Sequence, residues 1–265
     1  MSEVLGIDVS HHNGNIDWKK VAASGKKFAI LKCQYEAQSH RKDDCFEANY
    51  SGAGENGIAR GVYIYIARCS MADPKADAES LVKHLNGRPL EYGIWLDLED
   101  KTVDVKGKAY IRNLAYQYAD IFMKAGYYVG IYCNRDWYIR LIHADLKRDF
   151  DFWIARYPKN DHGLYNPNSS LKPNWNMAVA WQYSSKGSVP GIVGKVDLDV
   201  DYDGIVNLMA NSPTKKTNEE IAQEVLDNKW GTEKTTPTRK ELLTKAGYDY
   251  EAIRKIVNDR YRSKG

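Results

Sequence analysis

Two carboxylates, Asp97 and Glu99, stand two residues apart in the apolar run Tyr92-Gly-Ile-Trp-Leu-Asp-Leu-Glu99. On a β-strand, side chains at i and i+2 share a face. Both acids therefore project together while Leu96 and Leu98 bury the opposite face. Desolvating neighbouring charges is costly, so an apolar strand that carries two of them needs a chemical reason. A carboxyl pair on one rigid strand suits general acid chemistry at a glycosidic bond. A pair of plain surface acids fits poorly with Trp95, Leu96 and Leu98 as neighbours. Further acids recur near predicted strand ends: Asp8, and Asp197, Asp199 and Asp201 in Lys195-Val-Asp-Leu-Asp-Val-Asp201. The strict alternation of the last run puts its three acids on one face. A calcium cluster would use such oxygens, but the glycine-bearing loop of an EF-hand is missing. One or two of these acids are expected to face the same cavity as Glu99, with the rest solvated.

Short apolar strands alternate with helical stretches through residue 158. Strands are predicted at Gly6–Ser10, Phe28–Gln34, Gly61–Ala67, Gly93–Glu99, Tyr127–Tyr132 and Phe152–Ala155. Helical patterns fall near 43–56, 74–86, 106–125 and 134–142. Met177–Tyr183 and Val196–Val200 add two strands with no helix before either. Alternating βα units favour a parallel sheet, and eight strands with helices only in the first part predict a barrel. In such barrels active residues sit at the C-terminal strand ends, where Asp8, Asp97 and Glu99 fall.

The 265 residues suit one large domain and one small one. The 19 Tyr and 7 Trp supply rings with polar tips suited to sugar faces, though many must be core. The net charge of +3 is carried by residues 211–265, too little to argue for nucleic acid. Cys33, Cys45, Cys69 and Cys133 form no CxxC pair, and Cys33 and Cys133 read as buried thiols. His11-His12 lack a third metal ligand and read as cleft-edge or surface groups. Ser10 and Ser70 have no nucleophile-elbow context. Neither a metal nor another cofactor is expected. The N-terminus lacks the charged and apolar regions of a signal peptide, and no stretch approaches a membrane-spanning length. Synthesis in the cytoplasm is expected, with release by a separate component.

The motifs in series resemble the glycoside hydrolase family 25 muramidases. They are Gly6-Ile-Asp-Val-Ser-His-His-Asn-Gly-Asn-Ile-Asp-Trp18, Phe28-Ala-Ile-Leu-Lys32, Gly61-Val-Tyr-Ile-Tyr65, Leu96-Asp-Leu-Glu99, Gly130-Ile-Tyr132, Phe152-Trp-Ile-Ala155, Trp181-Gln-Tyr183 and Val196-Asp-Leu-Asp199. They follow the family's order over residues 4–205. The resemblance implies a flattened (β/α)5(β)3 barrel that cleaves the β-1,4 bond between N-acetylmuramic acid and N-acetylglucosamine. It implies Glu99 as general acid with Asp97 beside it, and Asp8 and Asp197 as the further acids of the cleft. Tyr63, Tyr65, Tyr132, Trp153, Gln182 and Asp199 are implied as substrate contacts. Two departures touch those contacts: Ile64 stands where the family often has His, and Cys33-Gln-Tyr-Glu36 replaces small residues and Gly.

A break near residues 211–216 separates a barrel over 1–210 from a tail over 217–265. Thr217 with Glu220 and Thr238 with Glu241 make capping boxes, Gly247 closes the second helix, and Asp249 can cap a third. The tail resembles one copy of the CW_7 cell-wall-binding repeat, a three-helix bundle found in phage lysins. Trp230, Arg239, Tyr248 and Tyr250 are its expected wall contacts, although Trp230 reads equally well as core. Together the resemblances imply a bacteriophage endolysin that acts on bacterial peptidoglycan and reaches it through a partner holin. Two rivals stand beside it: a chitinase-like glycosidase, which would share the Asp-x-Glu strand end, and a non-catalytic wall-binding protein with a decayed barrel.

Overall fold

Strand β4 shows how the sequence builds the barrel. In Ile94–Asp97, Ile94 and Leu96 face outward into the layer between sheet and helices, whereas Trp95 and Asp97 face inward. Every residue of the strand is buried, because both faces of a parallel sheet are covered. The computed structural model describes residues 3–67, 73–202, 218–232, 234–235, 237–245, 248 and 250–262. Cys69, Ser70, the 211–216 linker, Thr217, Gly247 and Asp249 lie outside them. The chain divides into two compact units, Met1–Ser212 and Pro213–Gly265.

In the first unit eight strands close a barrel in sequence order: β1 (Val4–Val9), β2 (Phe28–Lys32), β3 (Ala59–Tyr65), β4, β5 (Val129–Asn134), β6 (Phe152–Ala155), β7 (Ala180–Gly187) and β8 (Val196–Asp201). Neighbours from β1 to β7 are parallel; β8 is antiparallel to both β7 and β1 and closes the ring. Helices occupy only the first five connections: α1 (Trp18–Ala23), α2 (Phe46–Glu55), α3 (Pro74–Leu85), α4 (Lys101–Asp104) with α5 (Gly107–Lys124), and α6 (Arg135–Arg140) with α7 (Ala144–Asp149). The expected α/β barrel of five βα units and three further strands is the observed fold. Three short helices, α1, α4 and α7, were not expected from the sequence; four to six residues each are too few to display a helical period.

Two apolar layers hold the barrel. Outside, Ile7, Leu31, Val62, Leu96, Ile131 and Ile154 pack against the helices. Inside, Phe28, Ile30, Tyr92, Trp95, Tyr132 and Trp153 fill the core. Glycines make room for the large inner rings. A Cβ on Gly130 would come within 2.3 Å of the Trp95 ring, and one on Gly6 within 2.4 Å of Phe28. These contacts are far below van der Waals separation, so alternation of large and vacant positions is what lets the interior close.

Among its described residues the second unit has three helices, α8 (Asn218–Leu226), α9 (Arg239–Lys245) and α10 (Tyr250–Arg262). Ile221, Ala222, Val225, Leu243, Ile253 and Val257 form its core. The Thr238–Glu241 box is present: Thr238 N–H donates to Glu241 Oε2 at 2.8 Å and Glu241 N–H to Thr238 Oγ1 at 3.3 Å. Among the described residues no helix is long and apolar enough to cross a membrane.

Candidate active site

The C-terminal ends of β1 to β7 and the start of antiparallel β8 form one mouth, and there a cavity of about 100 Å³ opens. Asp8, Tyr63, Asp97, Glu99, Tyr132, Trp153, Gln182 and Asp197 line it. Four acids from three separated stretches of sequence thus converge with three aromatic rings and one amide. Asp97 ends β4, and Glu99 follows just beyond it. The backbone stays tied to β5 there, with Leu98 N–H donating to Tyr132 carbonyl at 3.0 Å, so the two acids keep a common side. Asp197 faces Asp8 directly across the β1–β8 pairing.

The acids differ in surroundings. Asp97 is buried, and its Oδ1 has no hydrogen-bond partner. Burial first, and Glu99 next, push its carboxyl well above the usual range, with Lys32 pulling the other way. Glu99 has an exposed surface yet enough protein around its carboxyl that burial, then Asp197 and Asp100, raise its pKa. Asp197 is raised to about 6, by burial and then by Asp161. Lys32, at the end of β2, sits 5.6 Å from the Tyr63 ring centre and 5.5 Å from that of Tyr65; burial lowers its pKa while Asp97 leads the acids that oppose this. The mouth therefore holds an excess of carboxyls, whose protonated forms are favoured by burial and mutual repulsion.

The floor is a hydrogen-bonded platform. Gln182 Nε2 donates to Asp8 Oδ2 at 2.6 Å, and Tyr132 hydroxyl donates to Gln182 Oε1 at 2.7 Å. Tyr157 hydroxyl donates to the same oxygen. Trp153 indole N–H donates to Asp199 Oδ1 at 2.9 Å.

Several expected contacts lie elsewhere. Asp199 has no exposed surface and sits beneath the floor, out of reach of a substrate. Asp201 is equally buried and accepts the Tyr92 hydroxyl at 3.0 Å. These acids are not solvated, because the inward face of β8 is closed over by the rest of the barrel. Among the described residues no group of three or more His, Cys, Asp or Glu is placed to hold a metal ion. Tyr65 is not in the cavity wall; its hydroxyl donates to Asp100 Oδ2 at 2.9 Å. His11 Nδ1 lies 2.6 Å from buried Asp43, which anchors the turn after β1.

Tyr157, Lys32 and Asp161 belong to the site's surroundings but were not singled out from the sequence. For Tyr157 a signal existed. It continues the inward alternation Trp153, Ala155, Tyr157 beyond the end of β6.

In the second unit, Trp230 and Tyr248 pack edge to face at 5.7 Å against the helical core, and Trp230 indole N–H donates to Glu224 at 3.0 Å. Trp230 is therefore half-buried, with part of its ring packed against the helical core. Arg239 and Tyr250 instead line a cavity of about 480 Å³ with Lys240, Glu251, Arg254 and Asn258. Arg239 is held by Gly231 carbonyl, which accepts from Nε at 3.0 Å and from the adjacent guanidinium nitrogen at 2.6 Å.

An α/β barrel with clustered carboxyls and aromatic walls at its C-terminal mouth is the architecture of a glycoside hydrolase. Residues 7–192 match the glycosyl hydrolases family 25, and the chain belongs to that family. Lysozyme M1 of Streptomyces globisporus is 30% identical over 225 residues, covering 79% of this chain and 71% of that protein. The autolytic lysozyme of Clostridium acetobutylicum is 28% identical over 204 residues, covering 76% of this chain; the chain spans only 56% of that relative's length. The crystal structure of the bacterial lysozyme from Streptomyces coelicolor shares the fold, with a TM-score of 0.58 at 24% identity over 79% of this chain and 97% of that one. Residues 219–260 match the CW_7 repeat.

Proposed function

We propose that this protein is an N-acetylmuramidase that cleaves the β-1,4 bond between N-acetylmuramic acid and N-acetylglucosamine, with Glu99 as general acid. The observation that carries the reading is the pairing of Asp97 and Glu99 in one aromatic-walled cavity, with Asp97 Oδ1 buried and unpartnered. A buried carboxylate oxygen without a donor is costly and suits a substrate N–H. In a substrate-assisted route, Asp97 accepts from the 2-acetamido N–H and orients its carbonyl oxygen for attack on the anomeric carbon. Glu99 protonates the leaving glycosidic oxygen as that bond breaks. Asp8 and Asp197 shape the field and hydrogen bonding of the cleft.

The second unit is proposed to bind cell wall and concentrate the enzyme on its polymer, with Arg239 and Tyr250 on the cavity as the contacts. Arg239 can donate to carboxylate or carbonyl groups of wall peptide. A barrel with a CW_7 repeat is consistent with a phage endolysin that lyses its host after release by a holin. Mass spectrometry of digested walls is the test. A reducing N-acetylmuramic acid end supports the reading. Turnover of chitin without peptidoglycan would favour the chitinase-like alternative, and no turnover of either would leave a binding protein.

A further inference from the structure

The N-terminal end of the barrel, opposite the mouth, carries a second aromatic surface. Glu3 precedes β1, Trp175 lies in the stretch before β7 and Tyr202 follows β8, so all three fall at the end where Val4 and Ala180 pair with Asp201. Strands β1 and β8 each run six residues, which puts this end roughly 15–20 Å from the mouth. Of the seven tryptophans, six are buried or half-buried, whereas Trp175 is 45% exposed. A large ring left in water forgoes the gain of burial. Trp175 is nevertheless held in place. Met177 and Ala178 N–H both donate to Asn174 carbonyl, at 2.9 and 3.1 Å, closing a turn around it, and its ring centre lies 6.4 Å from that of Tyr202. Two cavities meet at this ring. Trp175 shares one, of about 420 Å³, with Tyr202, Lys172 and Asn174, and the other, of about 210 Å³, with Tyr138 and Lys147.

Each cavity offers a polar group that the protein leaves unused. Tyr202 is 7% exposed, and its hydroxyl is buried with no hydrogen-bond partner, a state that costs stability unless a ligand completes it. Lys172 in the same cavity is engaged by Glu3. In the second cavity the acids are taken: Asp149 by Arg148 and the Tyr116 hydroxyl, Asp151 by the Tyr128 hydroxyl. Lys147 has no carboxylate partner among the described residues; its ammonium lies 4.4 Å from the Tyr138 ring centre. An open ring, a hydroxyl able to donate and accept, and a cation match a sugar that carries an acid. Its C–H face packs on the ring and its hydroxyl and acetamido groups serve the polar tips. We infer that this surface is a second glycan site, holding a strand of wall polymer apart from the one being cut: a sugar ring stacks on Trp175, one of its polar groups bonds the Tyr202 hydroxyl, and Lys147 pairs with the carboxylate of a muramyl unit or its peptide. The identity of the strand rests on the muramidase reading; the site itself does not. A neutral chitin strand would supply the ring but no carboxylate. Because the surface faces away from the mouth, an occupied site keeps the enzyme on its polymer between cuts.

The test is a ¹H–¹⁵N NMR titration of the tryptophan indole signals with soluble peptidoglycan strands bearing their peptides. It uses the full chain carrying Glu99→Gln, so that the strands persist. The Trp175 signal is assigned by its loss in Trp175→Phe, which keeps a ring in the turn. That signal is expected to shift and saturate. Lys147→Gln should weaken the response to these strands by about two- to fivefold and leave the response to chito-oligosaccharide unchanged. With Glu99 restored, Trp175→Ala should slow the clearing of whole walls by about two- to tenfold. Its turnover of a muropeptide tetrasaccharide, which engages the mouth alone, should match that of the unaltered protein. A Trp175 signal unmoved by the strands overturns the site; if the unaltered protein still cuts them, the muramidase reading stands. A signal that shifts with strands the unaltered protein does not cut refutes the muramidase reading and leaves the site standing. A response to peptidoglycan strands unaffected by Lys147→Gln would overturn the pairing with a carboxylate.

Discussion

Replacing Asp97 with Asn should move activity and stability in opposite directions. Asp97 is buried and its Oδ1 has no partner, while burial and Glu99 hold its pKa well above the usual value of 3.8. A raised folded-state pKa means that the ionised form weakens the fold. The stabilising contribution is complete at low pH and is lost as pH rises through the folded pKa. Asn resembles the neutral acid, so Asp97→Asn should match the unaltered protein near pH 4 and become the more stable of the two as pH rises. The gain should be about 1–3 kcal/mol, the cost of an unpaired buried polar group. At about 2–4 °C per kcal/mol for a barrel of this size, Tm should rise by about 2–12 °C at pH 7. Attraction to Lys32 opposes this, but the net upward displacement of the pKa shows that it is the weaker effect. Activity should fall, because an amide cannot match the charge that Asp97 offers an acetamido N–H in the transition state. Loss of one such interaction costs about 3–4 kcal/mol, or about 10²–10³ in kcat. Thermal unfolding from pH 4 to 8 and release of reducing ends from purified walls measure the two effects. If the variant lost stability and activity together, Asp97 would be a structural anchor and the argument would fail.

Glu99→Gln should lower turnover by about 10²–10⁴-fold with the fold intact; near-normal wall lysis would remove Glu99 from the role of acid. Because Glu99 must be protonated to act and its pKa is raised, activity should decline on the alkaline side as pH passes through that raised value. A pH–rate profile that kept rising through that range would contradict the assignment. Lysis should survive EDTA; activity lost to chelator and restored by calcium would return Asp197, Asp199 and Asp201 to consideration as an ion site. Truncation after Ser212 should leave a folded barrel that cleaves soluble muropeptides yet clears whole cells more slowly, and Arg239→Ala should weaken pull-down of the full chain on purified walls. Undiminished clearance and pull-down would reduce the second unit to a structural element.

Local pattern made much of the barrel legible. The alternation around Trp95 and Asp97 identifies β4 and the side on which its acids stand, because strand period is a property of neighbouring residues. The loss of helical pattern after residue 158 likewise marks the change from βα units to bare strands. The Thr238–Glu241 box was readable for the same reason, since its partners lie within one turn. Resemblance of ordered motifs then added the identity of the acids, which spacing alone left open among several chemistries.

Depth, by contrast, is set by what closes over a strand. Asp197, Asp199 and Asp201 share one face in the sequence, yet only Asp197 reaches the mouth, because β8 runs down into an interior sealed by seven other strands. Trp230 reads equally well as sugar platform or core in the sequence, and only the folded helices half-bury it and set its ring edge to face with Tyr248. The proximity of Asp8 to Asp197, 189 positions apart along the chain, exists only because antiparallel β8 closes the ring on β1. From the sequence come the strands, their inward residues and the chemical types available. Which of those residues meet and which are sealed from water is decided by barrel closure, since burial and charge coupling depend on groups far apart in the chain.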